Sequence, residues 1–458
     1  MSKRILTLFS VILVAGIIVP SRGLHGQGIS LIRDAEIENT IRTYATPVFR
    51  VAGLDPSHVR IYLVNDRSLN AFVAGGQRLF INTGLLLRSD SANQIIGIMA
   101  HETGHIAGGH LSRVQSALAK NSVPVILSYI LGGAAVIATG RGDIGSAIIA
   151  GGQTVALRNF LSYSRTQEAS ADQAAMKFLD ATEQSANGLL DFMRHLSDQE
   201  LLSAARQDAY VRSHPPTEKR ISTIAAHIAS SPYSDTRDRP EYQVMFERMT
   251  AKLYAFNNSF EATMHRYKLS DDSIGSRYAR AVAYYRKPDM AKALSLIDGL
   301  INEHPNDPYF HELKGQMLFD NGWISDALVS YQHAAFLLPN SHLIRRDLAR
   351  VQLEAKDLAL LDSAIRNLTA SLAIERFSSF TWRQLAIAYG RKGDKGRRSL
   401  ALAEEALLIN KPDIARYHAG FAEQIFTEGE REWLQARDIQ LAANELENAI
   451  KRRHSSGN

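Results

Sequence analysis

Within Ile95-Ile96-Gly97-Ile98-Met99-Ala100-His101-Glu102-Thr103-Gly104-His105, three residues stand in a His-Glu-x-x-His arrangement. Histidines four apart lie on one helix face, one turn above the other, so both imidazoles can reach a single ion. Glu102, one position on, can lean toward that ion from the side without being a ligand. Such a donor set suits zinc, which takes a third protein ligand and keeps an open position for water. Water beside zinc has a pKa of roughly 7, and a glutamate at this spacing takes its proton as it attacks a peptide carbonyl. The same five residues also describe a plain helix with two partly buried histidines. A third ligand elsewhere in the chain decides between these readings.

His110 is the nearest candidate, because Gly108 suits a His-Glu-x-x-His-x-x-Gly-x-x-His pattern. The third histidine of that pattern would fall at 111, which is Leu111. The match fails by one position, and His110 is expected at the surface or behind a ligand. Downstream, Ser162 to Ala175 reads as a helix with Glu168 and Asp172 four apart on one face. Glu168 can supply a carboxylate ligand. Asp172, a turn later, can accept the free N–H of a liganding histidine, fixing its tautomer and raising its basicity. Two acids on an exposed helix are commonplace; their force comes from the histidine pair upstream.

Several elements must position these groups. Ile29 to Phe49 carries apolar residues at helical spacing, and Val59 to Val64 reads as a strand. Two short apolar segments around Gly75-Gly76 suggest a hairpin just before the metal helix. An exposed strand there could hold substrate by backbone pairing, with little choice of sequence. Arg78, Leu79, Phe80, Ile81 and Asn82 are the candidate edge; an ordinary core hairpin is the alternative. Asp90 or Ser91 can cap the metal helix, which is expected to run to about Ser116.

Residues 1–26 read as an export segment. Lys3 and Arg4 precede an apolar run from Ile5 to Val19 and a small-residue exit. That run is short for a membrane span of about 20 residues, although an uncleaved anchor is the alternative. The 458-residue chain has no cysteine, which excludes a disulfide framework and suits an oxidising compartment, read as a bacterial periplasm. The net charge of +5 loses Lys3, Arg4 and Arg22 on cleavage, leaving +2 (5 − 3). With no dense basic patch interleaved with aromatics, nucleic-acid binding is excluded. The apolar segments within 123–150 are expected as a buried or groove-lining helical hairpin, with a peripheral membrane-facing patch as the alternative.

Beyond a polar, Pro-bounded stretch at 230–240 the pattern is helical and repeats. Pro305-Asn306 recurs as Pro339-Asn340, 34 residues apart, with Gly315, Ala327, Ala334 and Pro339 at the small and terminal positions of a tetratricopeptide repeat. Ala281, Ala293, Leu300 and Pro305 stand one period earlier. A third unit with Ala349 slips out of phase after Lys356, and a fourth shows Trp382, Ala386 and Tyr389. Stacked helix pairs make a concave surface suited to peptides or partner proteins. His304, His311 and His333 are expected at the surface there. The fold expected is mainly α: an export segment at 1–26, a metalloprotease domain of helices and a small β-sheet at 27–235, a linker and connecting helix at 236–272, and a repeat solenoid at 273–458.

The two motifs together resemble the HtpX-like gluzincin family of zinc endopeptidases, with its His-Glu-x-x-His helix and later Glu-x-x-Ala-Asp helix. Asn70-Ala71-Phe72 and Ile81-Asn82-Thr83-Gly84-Leu85-Leu86 also match that family's approach to the metal helix. Without convincing transmembrane helices, the chain is closer to the periplasmic, repeat-bearing branch. The resemblance implies one Zn2+ held by His101, His105 and Glu168, Glu102 as general base and Asp172 behind the ligands. It also implies that His214, in Ser213-His214-Pro215-Pro216, is a regulatory fourth ligand; a helix entry with a surface histidine is the plain alternative. Quality control of outer-membrane β-barrel proteins follows as the implied function. Unfolded or misassembled polypeptide would be the substrate, and the barrel-assembly complex a partner of the repeats. A chaperone or adaptor with a silent zinc site is the competing class.

Overall fold

The computed structural model describes residues 30–110, 154–197 and 208–455. The expected export segment and the apolar stretches at 123–150 lie outside them. A short strand β1 (Leu31–Ile32) leads into helix α1 (Ala35–Val51), then β2 (Arg60–Val64), β3 (Ala71–Ala74) and β4 (Arg78–Asn82). Helix α1 starts at Ala35 rather than 29, because Leu31 and Ile32 join the sheet and Asp34 then caps the helix by accepting from the Ile37 N–H. The sheet order is β1-β2-β4-β3, with β2 and β4 parallel and both outer pairs antiparallel.

That order overturns one expectation. Arg78, Leu79, Phe80, Ile81 and Asn82 form β4, an inner strand with β2 on one side and β3 on the other. The chain passes from β2 out to β3 and returns between them, so the edge on this side of the sheet belongs to Ala71–Ala74, with β1 at the other. A hairpin signal in sequence identifies the pair but not which member is covered.

Helix α2 (Thr83–Arg88) and the metal helix α3 (Ala92–Ala107) follow. Ser91, one of the two caps expected, accepts from the Gln94 N–H. Helix α3 ends at Ala107 rather than Ser116: Gly108 caps it and Gly109 turns to a φ of +60°, a conformation that glycine adopts without strain. Ile95, Ile96, Ile98 and Met99 are buried at the centre of the first core. Helix α4 (Thr154–Ala181) crosses α3 at Gly104, where an added methyl would lie 2.8 Å from the Ala171 carbonyl oxygen. Only glycine permits that approach, and it brings Glu168 and Asp172 against the histidines. Helices α5 (Asn187–Ser197), α6 (Ala209–Ser213) and α7 (Glu218–Ile228) complete the layer around α3.

Helix α8 (Pro240–Asn257), in the segment expected as a linker and connecting helix, is packed on both flanks. Its Tyr242, Phe246, Met249 and Leu253 belong to the core of α3, while Ala251 and Ala255 join the first cluster of the repeats. After α9 (Phe260–Arg266) come the helix pairs α10 (Ile274–Arg286) and α11 (Met290–Glu303), α12 (Pro308–Asp320) and α13 (Ile324–Leu337), and α14 (His342–Glu354) and α15 (Leu361–Ile374). Two more pairs follow, α16 (Ser379–Lys392) with α17 (Lys395–Leu408) and α18 (Pro412–Glu423) with α19 (Arg431–Ser455). Ala281, Ala293, Ala327 and Ala334 are fully buried, as helices that approach this closely require. The phase slip has a structural cause: Lys356 takes φ +56° and a 3-10 turn occupies Leu358–Leu360. Helix α15 therefore starts at 361 rather than at 358 (324 + 34). His304 and His333 are exposed, and the half-buried His311 pairs through Nε2 with the Pro305 carbonyl at 2.9 Å.

The two halves also meet through buried charge. Glu36, at the start of α1, accepts from Tyr278 Oη at 2.7 Å and pairs with Arg248 at 2.7 Å and Lys252 at 3.4 Å. Lys252 also reaches Asp34 at 2.8 Å, and Arg248 pairs with Asp307. No helix among the described residues is long and apolar enough to cross a membrane.

Candidate metal centre

One turn of α3 carries His101 and His105, and α4 presents Glu168 across from them. The loop after α6 brings in His214. Their donor atoms all lie within 4.8 Å of one another, and His101, Glu168 and His214 are buried. His101 Nε2 is 3.1 Å from His105 Nε2, 3.3 Å from Glu168 Oε2 and 3.3 Å from His214 Nδ1. His105 Nε2 is 3.4 Å from Glu168 Oε1, and His214 Nδ1 is 3.0 Å from Glu168 Oε2. A tetrahedral zinc ion with bonds of ~2.0–2.1 Å separates its ligand atoms by about 3.3–3.4 Å. The spacing and the three-imidazole, one-carboxylate chemistry both fit zinc.

The outward nitrogens of the histidines are held as well. His101 Nδ1 lies 2.9 Å from Asp172 Oδ1, which fixes the tautomer that aims Nε2 inward. His105 Nδ1 lies 2.9 Å from Nδ1 of His110, which is buried behind the ligand rather than at the surface. Asp172 is itself gripped by Arg220, whose Nε and Nη2 donate to its two oxygens at 2.7 and 2.8 Å. Arg220 also sits 3.1 Å from Glu168 and donates to the Pro215 carbonyl at 2.8 Å, pinning the loop that follows His214.

Burial and charge tune each group differently. For His101, burial opposes the proton, but the hydrogen bonds and charges of Asp172 and Glu168 outweigh it and raise the ring to about 9. His105 is pushed down to about 3, chiefly by burial, which Glu168 offsets only in part. Burial would raise Glu168, yet His214, Arg220 and His105 hold it well below the usual carboxylate range. Asp172 is likewise lowered against burial by Arg220 and His101. Glu102 alone among these acids is raised: burial dominates over the pull of His214 and His101. Its Oε1 has no hydrogen-bond partner among the described residues, and His214 Nε2 stands 3.6 Å away.

Thus His101, Glu102, His105, Glu168, Asp172 and His214, widely separated in sequence, meet at one place, while Arg78–Asn82 lie in the sheet and outside the cluster. Sequence reasoning missed Arg220 and Tyr210. Arg220 sits six residues after His214, a spacing visible in the sequence but without meaning until Asp172 is known to be adjacent. Tyr210 stacks on His214, with ring centroids 4.7 Å apart, and its buried hydroxyl has no partner among the described residues. Nothing in its sequence context marked it.

Comparison with known proteins agrees with this geometry. The model of peptidase family M48 matches residues 32–228. A β-barrel assembly-enhancing protease of Yersinia pestis is 21% identical over 388 residues, 83% of this chain and 78% of its own length. Its Escherichia coli K12 counterpart is 24% identical over 201 residues, 44% of this chain and 40% of its own. A Vibrio cholerae homologue is 25% identical over 255 residues, so the chain spans about half (52%) of that relative's length. In sequence, residues 32–228 are similar to peptidase family M48 and to the β-barrel assembly-enhancing proteases, and the side chains gathered here lie within that match.

Proposed function

We propose that the chain is a zinc-dependent endopeptidase acting on extended or unfolded polypeptide. One observation carries the reading: a buried carboxylate with an unpartnered oxygen, Glu102, stands beside a donor set of zinc spacing. A purely structural site has no use for such a group. His101, His105 and Glu168 would hold the ion, which when bound supplies Lewis acidity to the scissile carbonyl and to a water. Glu102 takes the proton of the attacking water and delivers it to the departing amine. Burial raises its affinity for protons, the direction that a group which takes up and passes on a proton requires. Asp172 and Arg220 keep His101 in the required tautomer. His214 occupies the fourth direction and must withdraw before substrate enters, which makes it a regulatory group.

The domain arrangement follows: an export segment at 1–26, a protease domain at 27–235, a connecting helix region at 236–272 and recruiting repeats at 273–458. Relatives named for β-barrel assembly support a periplasmic role in outer-membrane protein quality control, with the barrel-assembly complex docking on the repeats. The position of His214 supports a second reading, a chaperone or adaptor whose site stays closed. Zinc content and casein cleavage for wild type, Glu102→Gln, His214→Ala and the double variant separate the two. The endopeptidase reading expects all four to bind zinc, His214→Ala to be hyperactive, and both Glu102→Gln proteins to lose at least about 10²-fold in rate. Zinc-loaded proteins that never cut, His214→Ala included, would leave the adaptor.

A further inference from the structure

Strand β3 is an edge, and its register tells which backbone groups face outward. Asn82 N–H donates to the Asn70 carbonyl, so residues 70, 72 and 74 bond β4, and Leu69, Ala71 and Val73 direct their N–H and C=O groups away from the sheet. Ala71 and Val73 meet no further strand among the described residues. Leu69 is different: both of its backbone groups are taken by the segment that carries His214. Its N–H donates to Asp208 Oδ1 at 3.1 Å, and its carbonyl accepts from the Tyr210 N–H at 3.2 Å. Arg88, outside the metal cluster, also donates to Asp208, at 3.2 Å to the same Oδ1 and 3.3 Å to Oδ2. From there the path to the site is short. The Tyr210 carbonyl accepts from the His214 N–H at 2.7 Å, and the Tyr210 ring lies on the His214 imidazole.

We propose that the His214 segment occupies the first rung of the edge on which an extended polypeptide pairs, so that substrate reaching Leu69 displaces Asp208 and Tyr210 and draws His214 out of the site. This rests on the endopeptidase reading and adds its regulation: the trigger is the substrate's own backbone. The recognised ligand is any unpaired extended strand, because only main-chain donors and acceptors are contested. A folded protein whose edge strands are covered offers none and leaves the site closed. A polypeptide too short to span Val73 to Leu69 binds without opening it.

Hydrogen exchange on the full-length, zinc-loaded Glu102→Gln chain, with and without β-casein, tests the shared rung without relying on cleavage. Casein should slow exchange at the Ala71 and Val73 amides and speed it about tenfold at Tyr210, the equivalent of one net hydrogen bond. Asp208→Ala, which frees the Leu69 N–H, should bind casein about tenfold tighter. Arg88→Gln leaves that bond in place but loosens its anchor, and should shift affinity in the same direction by a smaller factor. Casein that binds without protecting Ala71 and Val73, or that leaves Tyr210 exchange unchanged, overturns the proposal. So does unaltered affinity in both variants. Casein cleavage by His214→Ala alongside an unresponsive Tyr210 would sink the shared rung and spare the endopeptidase. A responsive Tyr210 in a chain that never cuts would do the reverse.

Discussion

At the scale of single residues, the site is a set of protonation states fixed by neighbours. His101 in the metal-free protein is raised from an ordinary value of 6.5 to about 9. A raised folded value means that its stabilising charge is fully present below about 6.5 and is lost as pH rises through about 9. Zinc must replace that proton, whereas His105, held near 3 by burial, has none to give at neutral pH. Binding at pH 7.5 should therefore release about one proton and strengthen as pH rises toward 9, read from titration calorimetry in two buffers of different ionisation enthalpy. Arg220 is tested separately. Arg220→Ala strips the buried Asp172 of its guanidinium and leaves it His101 alone, a loss of about 3 kcal/mol in chemical denaturation. The ligand histidines and Glu102 were legible in sequence because helical spacing alone puts them together. Arg220 and Tyr210 were not, because their meaning depends on contacts between α4, α6 and α7 that no local pattern encodes.

At the scale of elements, the crossing of α3 and α4 sets the distance between histidines and carboxylates. Gly104→Val puts branched carbon against the Ala171 carbonyl, already 2.8 Å from a bare methyl, and forces the helices apart. Zinc content should fall well below one per chain, and stability should drop by about 1–3 kcal/mol, as overpacking typically costs. Gly104→Ala should show the same effects more weakly. The hairpin before α3 was readable from its two apolar runs, yet its edge was misassigned. Periodicity reports which residues are apolar, while the return of β4 between β2 and β3 is a tertiary event. The end of α3 was overrun for a similar reason: apolar spacing continues past Ala107, but Gly108 and Gly109 stop the helix.

At the scale of the whole molecule, α8 belongs to two cores at once, and Glu36, Lys252, Arg248 and Tyr278 tie α1 to the first repeats. Lys252→Met removes one partner from a buried network and should cost about 3–5 kcal/mol. Because both halves lean on α8, calorimetry should show a single merged transition moving to lower temperature rather than one half melting alone. The 34-residue period made the repeats legible; their contact with the half that carries the metal centre was invisible, since Arg33, Asp34 and Glu36 look like an ordinary helix start.

A second contact lies further along the repeats. Arg33 holds Glu375 at 2.5 Å, His342 stands 3.3 Å from the same carboxylate, and Arg60 lies 4.1 Å over the Phe377 ring. These surround a cleft of about 690 Å³ between α1, β2 and the repeats. The stretch from 240 to 377 is thus a belt, sewn to the half that carries the metal centre at one end and buckled to it at the other. The sewn end is a shared core with buried ion pairs, which salt screens little; the buckle is partly exposed and ionic, and salt screens it. Raising ionic strength should open the belt without melting it, so the radius of gyration in small-angle scattering would grow while helicity stays constant. Glu375→Gln should show the larger radius already at low salt.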